Sequence, residues 1–317
     1  MTNEMNNSKL PLIVIGGPTA SGKTALAVEI CRRFGGEVVS ADSMQVYDTL
    51  CVGTARPSEE EQDGIPHHLM GFLPPDASYS VAKYAEQAHR VIADIHARGR
   101  LPVMCGGTGL YIQAVTENLS YEEQPGDRAL REQLKQRIER EGGEALLSEL
   151  AQVDPVTAAR LHPNDHGRII RALEIVQVTG HTITEQNAAS RRNESPYDVC
   201  GLRLEFRDRE RLYERINRRV TLMLEQGLVE EAEWLRKQSN TDTVRQAIGY
   251  KELEPYFAGS LTLEEAADAI RQGTRRYAKR QLSWFRREAW MTTVYMDEPE
   301  ATEHACGLVE AFLRKET

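Results

Sequence analysis

Aromatic side chains are scarce in this chain, at 6% of residues, and cysteines scarcer still, at five in 317. Cys31, Cys51, Cys105, Cys200 and Cys306 lie far apart, and no two sit at zinc-ligand or dithiol spacing. That argues against a zinc ribbon or a redox pair and fits reduced thiols in a cytoplasmic protein. Long apolar runs are also missing. No window approaches the roughly 18 apolar residues of a membrane-spanning helix, so no membrane association is expected. The first residues lack the cationic start and cleavable apolar stretch of a signal peptide, and their apolar run leads directly into a glycine-rich turn. Positive charge is in deficit: 39 Lys and Arg face 48 Asp and Glu, a net charge of -9. Such a balance speaks mildly against nucleic acid as a partner, because phosphate contacts need Lys and Arg. Between Arg271 and Arg287, however, acidic residues are absent and seven basic ones cluster. Charge alone does not separate a solvated helix face there from a phosphate-contacting one.

What is present reads as an α/β protein. Leu12–Ile15 forms a buried strand and Gly22–Arg33 the helix behind it. Glu37–Ser40 gives a second strand, Ser80–Ala97 a helix of apolar period 3.6, and Leu101–Cys105 a third strand. Strands separated by helices of this length require crossovers and predict a parallel sheet. From 121 to 187 the pattern turns wholly helical, with Asp154-Pro155 and Pro163-Asn164-Asp165 as starts and Gly180 as a stop. The expected organisation is a P-loop core over 1–120 and 188–317, interrupted by an all-helical insertion over 121–187. Gly201–Phe206 returns to strand, and Thr262 with Glu265 forms a capping box that opens a later helix.

Residues Gly17, Pro18, Thr19, Ala20, Ser21, Gly22, Lys23 and Thr24 match the pattern G-x-x-x-x-G-K-[ST]. Glycines let such a loop turn its backbone N–H groups toward phosphate oxygens. Lys23 adds a point charge, Thr24 a hydroxyl suited to Mg²⁺, and the following helix its positive end. The motif specifies phosphate without specifying the molecule that carries it. Asp42 follows the second strand on the edge that faces ligands in such sheets. Its position suits a turn cap, a Mg²⁺ ligand or a general base. A second glycine turn, Gly106-Gly107-Thr108-Gly109, follows the third strand on the same edge.

Taken together, the motifs resemble those of tRNA dimethylallyltransferases. GPTASGKT is followed in order by SADSMQVY (Ser40 to Tyr47), GTARP (Gly53 to Pro57), PHHLM (Pro66 to Met70) and GGTGLY (Gly106 to Tyr111). HPNDHGRIIRALE (His162 to Glu174), RQAIGYKEL (Arg245 to Leu253) and TRRYAKRQLSWFR (Thr274 to Arg286) continue the likeness. With no cysteine and histidine pairs for an appended zinc finger, the chain is similar to the bacterial form. The resemblance implies transfer of a dimethylallyl group from its diphosphate to the exocyclic amine of the adenine 3′ of the anticodon. It implies Gly17 to Thr24 as the diphosphate site, Thr24 as the Mg²⁺ ligand, and Asp42 as general base. Lys23 and Arg219 would steady the departing pyrophosphate. Asp42, Ser43, Met44 and Gln45 would receive the base, with Thr108 touching the RNA beside it. The stem-loop would meet Arg131, Gly167, Arg168, Ile169, Ile170 and Arg171 on the insertion. It would also meet Arg245, Gln246, Ala247, Ile248, Gly249 and Tyr250. A monomer is expected.

Other readings fit parts of the pattern. A small-molecule kinase would use the P-loop and Asp42 but leave the insertion and the basic helix idle. A transferase acting on free adenine nucleotides would share the chemistry without the RNA. A nucleotide-switched RNA-binding protein would need a base-specificity element that is not evident. Tyr277 and Trp284 are expected in the core, and His67 and His68 in structural or orienting roles.

Overall fold

The computed structural model describes residues 9–120, 126–191 and 193–315. The chain divides into two compact units, Met1–Thr116 with Ser195–Thr317, and Glu117–Glu194. The second is wider than the 121–187 read from sequence. Its two ends are bonded to each other, Asn118 Nδ2 donating to Glu194 O at 2.9 Å and Ser120 N to Ser190 O at 3.1 Å. Residues 121–125, where the insertion was expected to begin, lie outside the described residues.

The first unit is built on a six-stranded sheet, β1 (Leu10–Gly16), β2 (Gly36–Ser40), β3 (His67–His68), β4 (Leu101–Gly106), β5 (Tyr197–Glu205) and β6 (Met291–Tyr295). The spatial order is β3-β2-β4-β1-β5-β6, and every pair is parallel. Leu12, Ile13, Val14 and Ile15 are all fully buried, because β1 is central and both faces of the sheet are covered. Ile13 and Ile15 pack with Leu26 and Ile30 of the Lys23–Phe34 helix and with Val309 of the Ala301–Leu313 helix. The Val81–Ala97 and Gly109–Thr116 helices also pack on the sheet. Each such buried aliphatic side chain contributes about 1.5–3 kcal/mol relative to exposure.

Register decides where the loops emerge. Ser40 pairs with Cys105 and Gly16 with Gly106, so β1, β2 and β4 end level with one another. The segments that follow, 17–24, 41–47 and 107–109, therefore leave the sheet at one edge. Gly106 is required there: a Cβ would collide with the Ala41 backbone, whose carbonyl accepts from Thr108 N at 3.0 Å.

The second unit is helical, and among its described residues no strand occurs. Leu134, Ile138, Leu146, Leu150, Ile169 and Leu173 form its core. Asp154 caps the Pro155–Ala158 turn as expected, accepting from Thr157 N at 3.0 Å, and also binds Thr184 through its N and Oγ1. Asp165 precedes the His166–Thr179 helix but turns its side chain back to His162 N instead of capping.

Candidate active site

The phosphate loop owes its shape to two residues with left-handed φ, Ala20 at 63° and Gly22 at 92°. Gly22 adopts it without steric cost, while Ala20 holds strain of about 1–2 kcal/mol. Lys23 bends back so that Nζ donates to Pro18 O at 2.6 Å. Desolvation lowers its pKa to about 8, helped by the Arg219 charge and opposed by Cys105 and Asp42. Ser21 is 1% exposed, and its hydroxyl has no partner among the described residues. An unsatisfied buried hydroxyl costs about 1–3 kcal/mol, a debt that a bound phosphate oxygen would remove.

Asp42 stands on the next loop, its Oδ1 accepting from Met44 N at 2.9 Å. This is the turn-capping geometry, and it leaves the second carboxylate oxygen for other work. The Asp42 charge acts on both Lys23 and Arg219, so the carboxylate and the two cations share one site. Thr108 closes the third side, its hydroxyl accepting from Ser43 N at 3.0 Å. Tyr84, fully buried, donates to Ser40 O at 2.9 Å and stacks on Tyr111 at 3.9 Å, which stiffens the exit of β2.

Two arginines enter from the Arg209–Glu225 helix, one turn apart on one face. Arg215 Nε donates to Ala20 O at 2.7 Å; Arg219 donates to Thr19 Oγ1 at 3.2 Å and to Ala55 O at 3.3 Å. Burial pulls the Arg219 pKa downward. Ala55 is itself strained, with φ 49°, and its carbonyl also accepts from Gln45 Nε2 at 3.1 Å. One carbonyl thus restrains both the arginine beside the phosphate loop and the glutamine expected at the base pocket. The segment bearing it is fastened by Glu231, whose carboxylate accepts from Cys51 N at 2.7 Å, Val52 N at 2.9 Å, Gly53 N at 2.7 Å and Tyr250 Oη at 2.7 Å. Gly53 is glycine because a Cβ would strike the Tyr250 ring.

The remaining candidates fall into three places. Arg245 is half-buried and bonded to Glu254, Gln246 is exposed, and Ala247 and Ile248 pack partly inward. Gly249 and Tyr250 are buried. In the second unit, Gly167 and Arg168 are exposed, while Ile169 and Ile170 belong to its core. Arg131 and Arg171 both bond the buried Glu174, at 2.9 and 3.0 Å. Two residues that motif reading passed over, Glu231 and Gln281, prove central to the first unit. Gln281 bridges the phosphate loop and the second glycine turn.

Trp284 packs against Gly109 and edge-on to Phe285 but is only half-buried, at the margin of the core it was expected to join. Tyr277 is half-buried rather than in the core, and burial, then the Asp42 charge, raise the pKa of its hydroxyl. His67 Nδ1 is 2.8 Å from Ile65 O and His68 Nε2 is 2.7 Å from Glu37 Oε2. The pair anchors β3 and its preceding turn.

Among the described residues no group of three or more His, Cys, Asp or Glu could cage a metal. The donors at hand are the Thr24 hydroxyl and the Asp42 carboxylate. They fit Mg²⁺ that arrives with a diphosphate and keeps several waters.

Fold and site together define a P-loop enzyme in which a cationic phosphate loop and the Asp42 carboxylate share one edge of a parallel sheet. The profile of the family described as IPP transferase matches residues 45–288, and that described as isopentenyl transferase matches 10–70. A tRNA dimethylallyltransferase of Shouchella clausii is 45% identical over 96% of this chain and 97% of its own. One of Bacillus subtilis is 43% identical over 93% and 94%. The solved tRNA isopentenylpyrophosphate transferase of Bacillus halodurans superposes with a TM-score of 0.70 at 42% identity, covering 97% of this chain and 99% of that one. A eukaryotic dimethylallyltransferase acting on tRNA reaches 0.80 at 28% identity, covering 96% and 80%. The chain belongs to the bacterial tRNA dimethylallyltransferase family.

Proposed function

We propose that the protein transfers a dimethylallyl group from dimethylallyl diphosphate to the N6 amine of the adenine 3′ of the anticodon in tRNA. The observation that carries this reading is the gathering of Asp42, Lys23 and Arg219 around the phosphate loop, Arg219 donating to Thr19 Oγ1 and the Asp42 charge acting on both cations. N6 attacks the allylic carbon, the carbon–oxygen bond to the diphosphate breaks, and its electron pair leaves with pyrophosphate. Asp42 takes the N6 proton, which is worth about 10²–10⁴ in rate. Lys23, Arg219 and the loop amides meet the growing negative charge on the leaving oxygen. Mg²⁺ held by Thr24 and the diphosphate would supply further charge neutralisation. The adenine must leave its stack, which costs a few kcal/mol and least in a loop.

The test is label transfer from dimethylallyl diphosphate to an unmodified anticodon stem-loop RNA with Mg²⁺, beside the same assay with AMP. Label on the RNA alone is expected. Label on AMP alone, or on neither, would overturn the proposal.

Lys23 makes the binding step pH-dependent. Its pKa of about 8 in the free enzyme rises when a diphosphate anion lies beside it. Binding therefore takes up a proton above pH 8. Pyrophosphate affinity should be level below that pH and fall by up to about tenfold per unit above it. Titration calorimetry in buffers of different ionisation enthalpy measures the proton uptake, and a flat affinity from pH 7 to 9.5 would contradict it.

The exposed basic face of the Leu263–Phe285 helix suits the RNA backbone. Arg276 and Arg280 are its better probes, because Arg275 is committed to Asn217 Oδ1 at 2.9 Å. Arg276→Ala with Arg280→Ala is expected to weaken stem-loop binding. The slope of log affinity against log salt should flatten by roughly 1.5. An unchanged slope would place the RNA elsewhere.

A further inference from the structure

We infer that Gln281 is a positioning residue that sets the phosphate loop from the inner side of the basic helix. The inference deepens the reading above and rests on it only for the role of the outer helix face.

Gln281 is 6% exposed in a segment whose neighbours Lys279 and Arg280 are solvent-facing. Its amide is used at both ends. Oε1 accepts from Thr19 N at 2.9 Å, and Nε2 donates to Gly107 O at 3.0 Å. One side chain thus joins the phosphate loop to the second glycine turn across 262 and 174 positions of sequence.

The seat around it is built from glycines. A Cβ at Gly107 would collide with Gln281 Nε2, one at Gly109 with the Trp284 ring, and one at Gly16 with the Phe285 ring. Residues 281, 284 and 285 have the i, i+3, i+4 spacing of one helix face. Three successive contacts therefore press that face onto the ends of β1 and β4. The GGTG turn owes two of its glycines to this helix.

The consequence falls on Thr19. Its N–H points to Gln281 and its hydroxyl receives Arg219, so the residue is held from two sides. With that amide committed to Gln281 and Ser21 N to Pro18 O at 3.4 Å, an anion would meet the other N–H groups of the loop. An unanchored loop would lose conformational entropy on binding. Gln281 removes part of that cost in advance. It does so from the helix whose outer face carries Arg276, Lys279 and Arg280.

The experiment uses the full-length protein and inorganic pyrophosphate with Mg²⁺, so its result does not depend on the transfer reaction. Gln281→Met keeps the length and most of the volume but loses both hydrogen bonds. Pyrophosphate affinity should fall tenfold or more by calorimetry, with stem-loop RNA affinity within twofold of the parent and the melting temperature within a few degrees. Gly107→Ala, which crowds Nε2 from the opposite side, should reproduce that pattern if Gln281→Met does not fold. Unchanged pyrophosphate affinity in the folded variant would reduce Gln281 to a core filler. A parallel loss of pyrophosphate binding, RNA binding and melting temperature would make its role generally structural. Either result overturns the inference.

Discussion

Asp42→Ala is expected to lose about 10²–10⁴ in kcat while binding the anticodon stem-loop within about twofold of the parent. Alanine removes two things together, the proton acceptor and the Met44 N–H···Oδ1 bond that shapes the turn. Asp42→Asn separates them. Asparagine keeps an oxygen for Met44 N and has no basic oxygen for the N6 proton. If the carboxylate is the base, Asn should be as slow as Ala. If its work is turn capping, Asn should run near the parent rate. Single-turnover measurement with saturating RNA and diphosphate isolates the chemical step, and a near-parent rate for Asn would remove the base assignment.

The second large effect is expected at Glu231, which touches neither substrate in the proposed reaction. Glu231→Ala deprives three backbone N–H groups and the Tyr250 hydroxyl of their common acceptor. Tyr250 is 3% exposed, so water replaces that bond poorly. The expected loss is about 2–4 kcal/mol of stability, since each unsatisfied buried group costs about 1–3 kcal/mol and the outer amides regain water. The catalytic effect travels through Ala55, whose carbonyl holds Arg219 and Gln45 together. Freed of its anchor, the strained Ala55 relaxes and both side chains lose register, so kcat/KM should fall by about two orders of magnitude. Tyr250→Phe is the control: it leaves the three amide bonds and should cost about 1 kcal/mol with activity near the parent. Equal activity losses in the two variants would refute the route through the loop. Urea unfolding and steady-state rates measured on the same samples decide it.

Much of this architecture was legible because its signals are local. The run Leu12–Ile15 against a glycine turn and a Lys-Thr pair specifies strand, loop and helix within 15 residues, and these formed where expected. Ser80 and Thr262 cap their helices through Lys83 N and Glu265 N, for the same reason. The two-residue β3 could not be read, since His67–His68 is too short for any periodicity and is held by pairing to Val38 and Val39. Glu231 and Gln281 were illegible for a different reason. Each is one polar residue on a helix, Gln281 even inside a motif noted for its basic residues, and its meaning lies in partners 180 and 262 positions away. Ile169, Ile170 and Tyr250 carry the opposite lesson. They stand inside motifs read as RNA-contacting, yet burial gives their side chains to the cores that present Arg168, Arg171 and Gln246. A motif marks a stretch of chain, and the local fold then divides that stretch between surface and core.

The place of β5 has a consequence for how the molecule comes into being. β1 is flanked by β4 on one side and β5 on the other, and β5 follows only after the entire helical unit. At about 5–20 residues per second of synthesis, Thr19 leaves the ribosome some tens of seconds before Gln281 does. Until β5 emerges, β1 is an edge strand with unpaired N–H and C=O groups, the kind of surface that recruits other strands. Its phosphate loop meanwhile lacks Arg215, Arg219 and Gln281. Phosphate binding is therefore acquired late, and a nascent chain stalled in the helical unit would resemble a client of chaperones more than an incomplete enzyme.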